Sequence, residues 1–190
     1  MYKILIFGAG AIGRGFIAPL FYRNSHKIHF ADSNVNLIKK LNYKKKYLVG
    51  TIKRNHYFFE EVKIEKSFSL TQKINVKNFD IVFSCVGPDN CYKNYEFYKD
   101  AKYLVSCEND INTVEGLKKL TRNKNIFFGI PDVITSNTAP KKILEKDDLS
   151  IISEDGTLVL EKFISLLPKE IETVSKIHLK KHWLCKLYIH

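Results

Sequence analysis

The stretch Lys3–Phe16, KILIFGAGAIGRGF, decides the fold class of this chain. Its first part, Lys3–Phe7, is a short, continuous apolar run that ends at a glycine, which is typical of a buried parallel strand. The next six residues, Gly8–Gly13, match the pattern GxGxxG, and a helix is predicted to continue from there to about Arg23. The sequence therefore predicts a strand, a glycine-rich turn and a helix in immediate succession.

Each glycine of this pattern has a predicted role. Gly8 allows the tight turn, Gly10 lets the backbone approach a dinucleotide pyrophosphate, and Gly13 lets the helix pack closely on the strand. The free N–H groups at the start of the helix favour the negative charge of the phosphates. This predicts a Rossmann-type dinucleotide-binding domain, although a tight turn without a ligand would use the same glycines.

A carboxylate follows the second predicted strand. Lys27–Ala31 is that strand, and Asp32 stands 19 positions after Gly13, close to the spacing of about 20 expected for a ribose-binding carboxylate. A carboxylate there accepts hydrogen bonds from the ribose hydroxyls and repels a 2′-phosphate, so NAD is favoured over NADP. The alternative is that Asp32 caps the helix that follows.

The rest of the chain continues the alternation of strands and helical stretches. Such βαβ units force a mostly parallel sheet with helices on both faces, and ligands bind beyond the carboxyl ends of its strands. The sequence therefore predicts an α/β, doubly wound sheet. The further predicted elements are a short helix at Asn34–Leu41, a small antiparallel insertion within Lys44–Glu65, strands at Asp80–Cys85, Tyr103–Cys107 and Asn125–Phe128, and a strand pair within Asp148–Glu161.

The composition is that of an ordinary globular protein. The chain has 190 residues, of which 45% are hydrophobic, and this argues against disorder. No apolar run approaches the roughly 18 residues of a membrane span, and no signal peptide precedes the first strand, so a cytoplasmic location is predicted. The net charge of +11 comes from scattered lysines, which favours a solvated basic surface over a nucleic-acid or membrane site.

The four cysteines form no CxxC pair in a chain too large to need disulfides. No disulfide and no metal site is predicted, and the two cysteines at predicted strand ends, Cys85 and Cys107, are predicted to be small buried residues. Sequence alone leaves the oligomeric state undetermined.

Several motifs resemble the mannitol dehydrogenase family of polyol-specific long-chain dehydrogenases. They are FGAGAIGRGF at Phe7–Phe16, FAD at Phe30–Asp32, CVGP at Cys85–Pro88, SCEN at Ser106–Asn109, and Lys186. Their order and approximate spacing are those of the family. The resemblance extends over essentially the whole chain, which corresponds to the N-terminal half of such an enzyme.

The resemblance implies an N-terminal Rossmann domain that binds NAD, a mainly helical C-terminal domain, and an active site between them. Residues 1–165 are thus predicted to form the NAD-binding domain and residues 166–190 the start of a truncated C-terminal helical domain. The implied reaction is hydride transfer between NAD and a polyol or sugar phosphate, with mannitol 1-phosphate and fructose 6-phosphate as the pair. A hexuronate reductase of the same family and a non-catalytic NAD-binding module are the alternatives.

The resemblance also implies a catalytic lysine. The family motif is a lysine, four residues, Asn, two residues and His; Lys186 matches the lysine, and the chain ends at His190, before the Asn position. A lysine with an ordinary pKa of about 10.4 is too protonated to remove a hydroxyl proton, so its surroundings must lower that pKa. Without the remaining motif residues, the isolated chain is expected to be inactive.

Two more residues belong to the implied catalytic set. Asn109 follows a predicted strand end and would donate a hydrogen bond to the substrate oxygen as it becomes an alkoxide, or would form a turn or cap a helix. Asp132 either contacts the substrate or serves a turn.

The predicted cofactor contacts lie at three strand ends. At one of them, Gly87 permits close approach and Pro88 stiffens the loop. Arg14, just inside the first helix, either holds a phosphate or lies on a solvated face. The complete predicted set is Gly8, Ala9, Gly10, Ala11, Ile12, Gly13, Asp32, Val86, Gly87, Pro88 and Asn109.

Overall fold

A computed structural model describes residues 1–53, 56–108, 110–133, 135–136, 145, 147–161 and 171–174. The strands of its larger sheet are β1 Lys3–Phe7, β2 Lys27–Asp32, β5 Lys66–Ser69, β6 Ile81–Ser84, β7 Leu104–Ser106, β8 Ile126–Asp132, β11 Thr157–Glu161 and β12 Ile171–Val174. They lie in the order β12-β11-β8-β7-β6-β1-β2-β5. Six of them, from β5 to β8, are parallel to one another.

Strand β1 lies in the middle of the parallel part. Leu5 is opposite His29 of β2 on one side and Val82 of β6 on the other. The chain runs outward from β1 to β2 and β5, then returns to the far side of β1 and continues through β6, β7 and β8. This reversal of strand order is the switch point of a doubly wound sheet, so the predicted Rossmann-type fold is confirmed.

Helices cover both faces of this sheet. Alternate residues of β1 enter two different cores: Ile4 and Ile6 pack with Phe21 of the first helix, whereas Leu5 and Phe7 pack with Leu117 of a later one. All are fully buried, which explains the continuous apolar run. The helices are a π-helical turn at Gly13–Ile17, α1 Ala18–Arg23, α2 Val35–Lys44, a 3₁₀ turn at Val76–Asn78, α3 Pro88–Lys93, α4 Tyr95–Tyr98 and α5 Ile111–Thr121.

A second, four-stranded sheet packs on the first helix. It contains β3 Lys46–Lys53, β4 His56–Lys63, β9 Thr135–Ser136 and β10 Ile151–Glu154, in the order β4-β3-β10-β9. The antiparallel pair of β3 and β4 confirms the insertion predicted within Lys44–Glu65. A Cβ atom on Gly15 would lie 3.3 Å from the Cδ1 atom of Ile151, so the helix and this sheet are in close contact.

The strand pair predicted within Asp148–Glu161 is wrong in its pairing. Both strands form, but β10 pairs in parallel with β3, and β11 pairs antiparallel with β8. The chain passes from one sheet to the other at Gly156, where a Cβ atom would lie 2.5 Å from the carbonyl oxygen of Asp132. The local sequence marks the two strands, whereas packing between distant segments chooses their partners.

Strand β12 extends the larger sheet beyond β11, to which it is parallel. The predicted domain boundary after residue 165 falls between these two strands and outside the described residues, so it stays a prediction. No helix in the described part of the chain is long and apolar enough to cross a membrane.

Candidate dinucleotide-binding site

A groove opens beyond the carboxyl ends of β1, β2 and β6, at the switch point of the sheet. One wall comes from the turn after β1 and the end of β2, and the other from the turn after β6 and from α3. This is the place where doubly wound sheets bind their ligands. The groove is lined by Gly8, Gly10, Asp32, Ser33, Leu70, Cys85, Val86, Asn90, Lys93 and Asn94.

The three glycines of the turn differ in the space around them. Gly8 has a φ of +92°, and a Cβ atom there would lie 2.4 Å from the carbonyl oxygen of Cys85. A Cβ atom on Gly13 would lie 1.9 Å from the carbonyl oxygen of Gly8. Around Gly10 nothing lies within 4 Å of the Cβ position. The fold therefore requires Gly8 and Gly13, whereas Gly10 faces open space.

The carboxylate of Asp32 ties the end of β2 to the glycine turn. Its Oδ2 atom accepts a hydrogen bond of 2.7 Å from the N–H of Ala9, and its Oδ1 atom accepts one of 2.8 Å from the N–H of Asn34. The cap of α2 is Asn34, whose side chain accepts from the N–H of Leu37. The helix-capping alternative for Asp32 is therefore wrong, and its half-buried carboxylate remains beside the groove.

The turn after β6 has a partner that the sequence analysis missed. Gly87 has a φ of +86° and caps α3, whose first residue is Pro88. The N–H groups of Val86 and Gly87 donate to the carboxylate of Glu108, at N···O distances of 3.0 and 2.7 Å respectively. Ser84 donates a third hydrogen bond to the same carboxylate. These backbone N–H groups are therefore occupied within the protein.

Glu108 is 4% exposed at the end of β7. Burial raises the pKa of its carboxyl group, and the hydrogen bonds from Val86, Ser84 and Gly87 oppose that effect. The available signal in the sequence was a charged residue directly after an apolar strand, because a buried carboxylate must be paired or hydrogen-bonded.

Arg14 is not a solvated residue, so that prediction for it is wrong, whereas the phosphate-binding role stays a prediction. It is 7% exposed. Its guanidinium donates hydrogen bonds to the carbonyl oxygens of Ala9 and Leu149, and the N···O distance is 2.5 Å in each. Tyr47 of β3 lies beside it and donates from its hydroxyl to the carbonyl oxygen of Arg14. Burial lowers the pKa of Arg14. Its role is to connect the glycine turn with the second sheet.

Of the three predicted catalytic residues, only Asp132 lies among the described residues. Asn109 and Lys186 lie outside them. Asp132 is exposed at the end of β8, which is separated from β1 by β7 and β6. All three stay predictions.

Cys91 and Cys107 are buried and Cys85 is half-buried; all three are free thiols. Burial raises the pKa of Cys91 to about 12. No group of three or more potential metal ligands occurs among the described residues.

Comparison with known proteins finds a similarity in the N-terminal part. Residues 2–63, about a third of the chain, match the sequence model of the mannitol dehydrogenase Rossmann domain. This range contains β1, the glycine turn, Asp32 and the β3–β4 hairpin. This part of the chain is therefore similar to the mannitol dehydrogenase Rossmann domain.

Proteins that contain similar sequences include bacterial mannitol-1-phosphate 5-dehydrogenases. The one from Buchnera aphidicola subsp. Acyrthosiphon pisum (strain Tuc7) is 27% identical over 199 residues, which cover 90% of this chain and 51% of the relative. The one from Thermoanaerobacter pseudethanolicus is 29% identical over 171 residues, covering 77% and 44%. The chain spans about half the length of the curated relatives it matches.

Solved dehydrogenase structures share the fold. The complex of D-mandelate dehydrogenase with NADH matches with a TM-score of 0.60 and 13% identity, covering 88% of this chain and 49% of that one. The 2-dehydropantoate 2-reductase from Geobacter metallireducens GS-15 matches with a TM-score of 0.58 and 16% identity, covering 85% and 50%. At these identities the similarity shows the fold alone.

Proposed function

We propose that this chain is the NAD-binding part of a dehydrogenase that interconverts mannitol 1-phosphate and fructose 6-phosphate by hydride transfer. The family match of residues 2–63 and the names of the relatives support the reaction class and the substrate. The geometry of the glycine turn supports the site. NAD, when bound, accepts the hydride that leaves the alcohol carbon.

The open space around Gly10 carries the proposal. Gly8 and Gly13 are explained by the fold, because a side chain at either would collide with backbone atoms. Gly10 has no such neighbour within 4 Å and no positive φ. A turn without a ligand therefore has no need of a glycine at this position. A pyrophosphate that approaches the backbone there does need one.

Asp32 selects the cofactor in this proposal. Each of its carboxylate oxygens accepts one backbone N–H and keeps a further lone pair that can accept a hydrogen bond. Ribose hydroxyls can donate to these positions, whereas a 2′-phosphate would meet a negative charge. NAD is therefore the proposed cofactor.

The proton chemistry is assigned by resemblance. Lys186 takes the hydroxyl proton of the polyol as general base, Asn109 holds the oxygen as its negative charge develops, and Asp132 orients the substrate. The backbone around Val86, Gly87 and Pro88 shapes the groove beside them. None of these roles needs a metal ion.

The reaction is tested on the protein expressed from its complete gene, by following NADH formation with mannitol 1-phosphate and, separately, NADH oxidation with a hexuronate. We expect mannitol 1-phosphate to be oxidised. We expect Lys186→Ala to reduce the rate by about 10² or more without weakening NADH binding, because the lysine serves proton transfer. Lys119→Ala, at an exposed position of α5, is the matched control. Near-normal oxidation by the Lys186 variant, or turnover of the hexuronate alone, contradicts the proposal.

A further inference from the structure

The carboxylate of Glu108 is a buried acidic group beside the groove that the proposed reaction does not use. Its Oε1 atom accepts from the hydroxyl of Ser84 and the N–H of Val86, and its Oε2 atom accepts from the N–H of Gly87, its one donor within the described part of the chain. One side chain from the end of β7 thus fixes two consecutive backbone groups at the end of β6.

The turn that Glu108 holds is a conformation that needs support. Gly87 has a φ of +86° and a ψ of 151°, and the space around its Cβ position is open. The N–H of Gly87 donates to Glu108, the Nδ2 atom of Asn90 donates to the carbonyl oxygen of Val86, and the N–H of Cys91 donates to the carbonyl oxygen of Gly87. Hydrogen bonds therefore hold this conformation, those to Glu108 among them, and Val86 in the same turn lines the groove.

We propose that Glu108 is a positioning residue whose ionised carboxylate holds the Val86–Gly87 turn in the shape that binds the cofactor. This inference rests on the proposed function of the groove as an NAD site. A ligand that binds only one conformation has its apparent affinity reduced by the fraction of molecules in that conformation. Loss of the ionised carboxylate therefore weakens cofactor binding without any direct contact between Glu108 and the cofactor.

Protonation and amide substitution disturb the same contact. A protonated carboxyl or a glutamine amide retains one acceptor oxygen and presents a donor in place of the other. Oε1 can still serve Ser84 and Val86, but the N–H of Gly87 then faces another donor. Glu108→Gln is therefore expected to mimic the wild-type protein at low pH.

The charges around Glu108 leave this transition to its own carboxyl group. Among the described residues, the titratable groups whose pKa values respond to the charge of Glu108 include Cys85 after β6, Cys91 on α3 and Tyr98 on α4. The pKa of each is raised, chiefly by a hydrogen bond with Cys107 for Cys85 and by burial for Cys91 and Tyr98, so all three are neutral at and below pH 7.

The direction of the pH effect on stability separates positioning from unfolding. Because burial raises the pKa of Glu108, the folded protein takes up this proton more readily than the unfolded chain does. Protonation of Glu108 therefore does not reduce the free energy of unfolding. A loss of NADH affinity as the pH falls through the pKa of Glu108 therefore indicates a change in the Val86–Gly87 turn and not unfolding of the protein.

The experiment is an NADH fluorescence titration between about pH 8 and pH 4.5 on the wild-type protein, Glu108→Gln and Ser84→Ala, with a thermal melt at each pH. We expect Glu108→Gln to bind NADH about tenfold more weakly than the wild type at pH 8. We also expect it to lack the acid limb of the wild type, that is, the fall in NADH affinity as the pH is lowered. Ser84→Ala keeps both contacts to the turn, so it binds normally at pH 8. Its acid limb moves to higher pH, because the carboxylate has lost a donor.

The inference is overturned if Glu108→Gln binds NADH as tightly as the wild type. It is also overturned if NADH affinity depends on pH in the same way in Glu108→Gln and in the wild type. If Glu108→Gln does not fold, the wild-type titration and Ser84→Ala still decide it, since an unshifted acid limb in Ser84→Ala also overturns it. Gly10→Val is measured alongside. Retained NADH binding in Gly10→Val refutes the proposed site itself, whereas its loss together with an unaffected Glu108→Gln refutes only the role of Glu108.

Discussion

At the glycine turn, the space around each Cβ position separates the residues that the fold needs from the one that a ligand needs. Gly8 and Gly13 would place a Cβ atom against backbone carbonyls, and Gly10 would not. These roles could be predicted from the spacing of the motif and its position after a strand. They follow from local geometry, which sequence spacing encodes well.

Arg14 and Glu108 show where such reasoning ends at single residues. Arg14 lies in the motif but bonds to Leu149, which is 135 positions away. Glu108 serves the turn at Val86, which is 22 positions away. Sequence spacing gives no information on such distant partners, so it cannot show which backbone groups these two charged side chains bind.

The role of Asp32 gives a prediction about cofactor choice. We expect the wild-type protein to bind NADH more tightly than NADPH, and Asp32→Asn to reduce this preference about tenfold, because the charge that repels a 2′-phosphate is lost. Fluorescence titration at fixed salt measures both affinities.

Asp80→Asn is the matched control for this prediction. Asp80 also accepts a hydrogen bond from a backbone N–H, that of Lys3. It directly precedes β6, however, and so lies at the amino ends of the parallel strands, away from the groove. Equal or tighter binding of NADPH by the wild type, or the same preference in Asp32→Asn, would remove Asp32 from the ribose site.

At the scale of elements, strands were easier to predict than their partners. The apolar runs of β1, β6 and β7 and the antiparallel β3–β4 hairpin were predicted because each is marked by its own residues. Strands β10 and β11 were also predicted, but they belong to different sheets. Their register with β3 and β8 depends on segments that are far away in the chain.

The contact between the first helix and the second sheet gives a prediction about stability. Arg14→Met should reduce the free energy of unfolding by about 2 kcal/mol or more, because two buried carbonyl oxygens lose a charged donor. Arg23→Met, at an exposed site that pairs with Glu60, should cost less than about 1 kcal/mol. Urea unfolding followed by circular dichroism measures both.

This comparison also tests the reassignment of Arg14. Unchanged stability together with a large loss of NADH affinity in Arg14→Met would support a phosphate-binding role for Arg14. It would contradict the role of Arg14 in connecting the glycine turn with the second sheet.

At the scale of the whole molecule, alternating strands and helices sufficed to predict a doubly wound sheet with its site beyond the carboxyl ends of the strands. Two contributions could not be predicted. The antiparallel addition of β11 to β8 and the second sheet over the first helix both join distant segments. The catalytic assignment of Lys186 and Asn109 rests on resemblance and awaits the activity measurement.

The measurement that tests the central claim most directly is an NADH titration of the wild-type protein and Gly10→Val, with Gly13→Ala as a structural contrast. The account predicts that the wild type binds and that Gly10→Val does not, while its circular dichroism spectrum and thermal melt stay close to wild type. Gly13→Ala should instead lower the melting temperature, because its methyl group meets the carbonyl of Gly8. Undiminished NADH binding by a folded Gly10→Val protein would contradict the account.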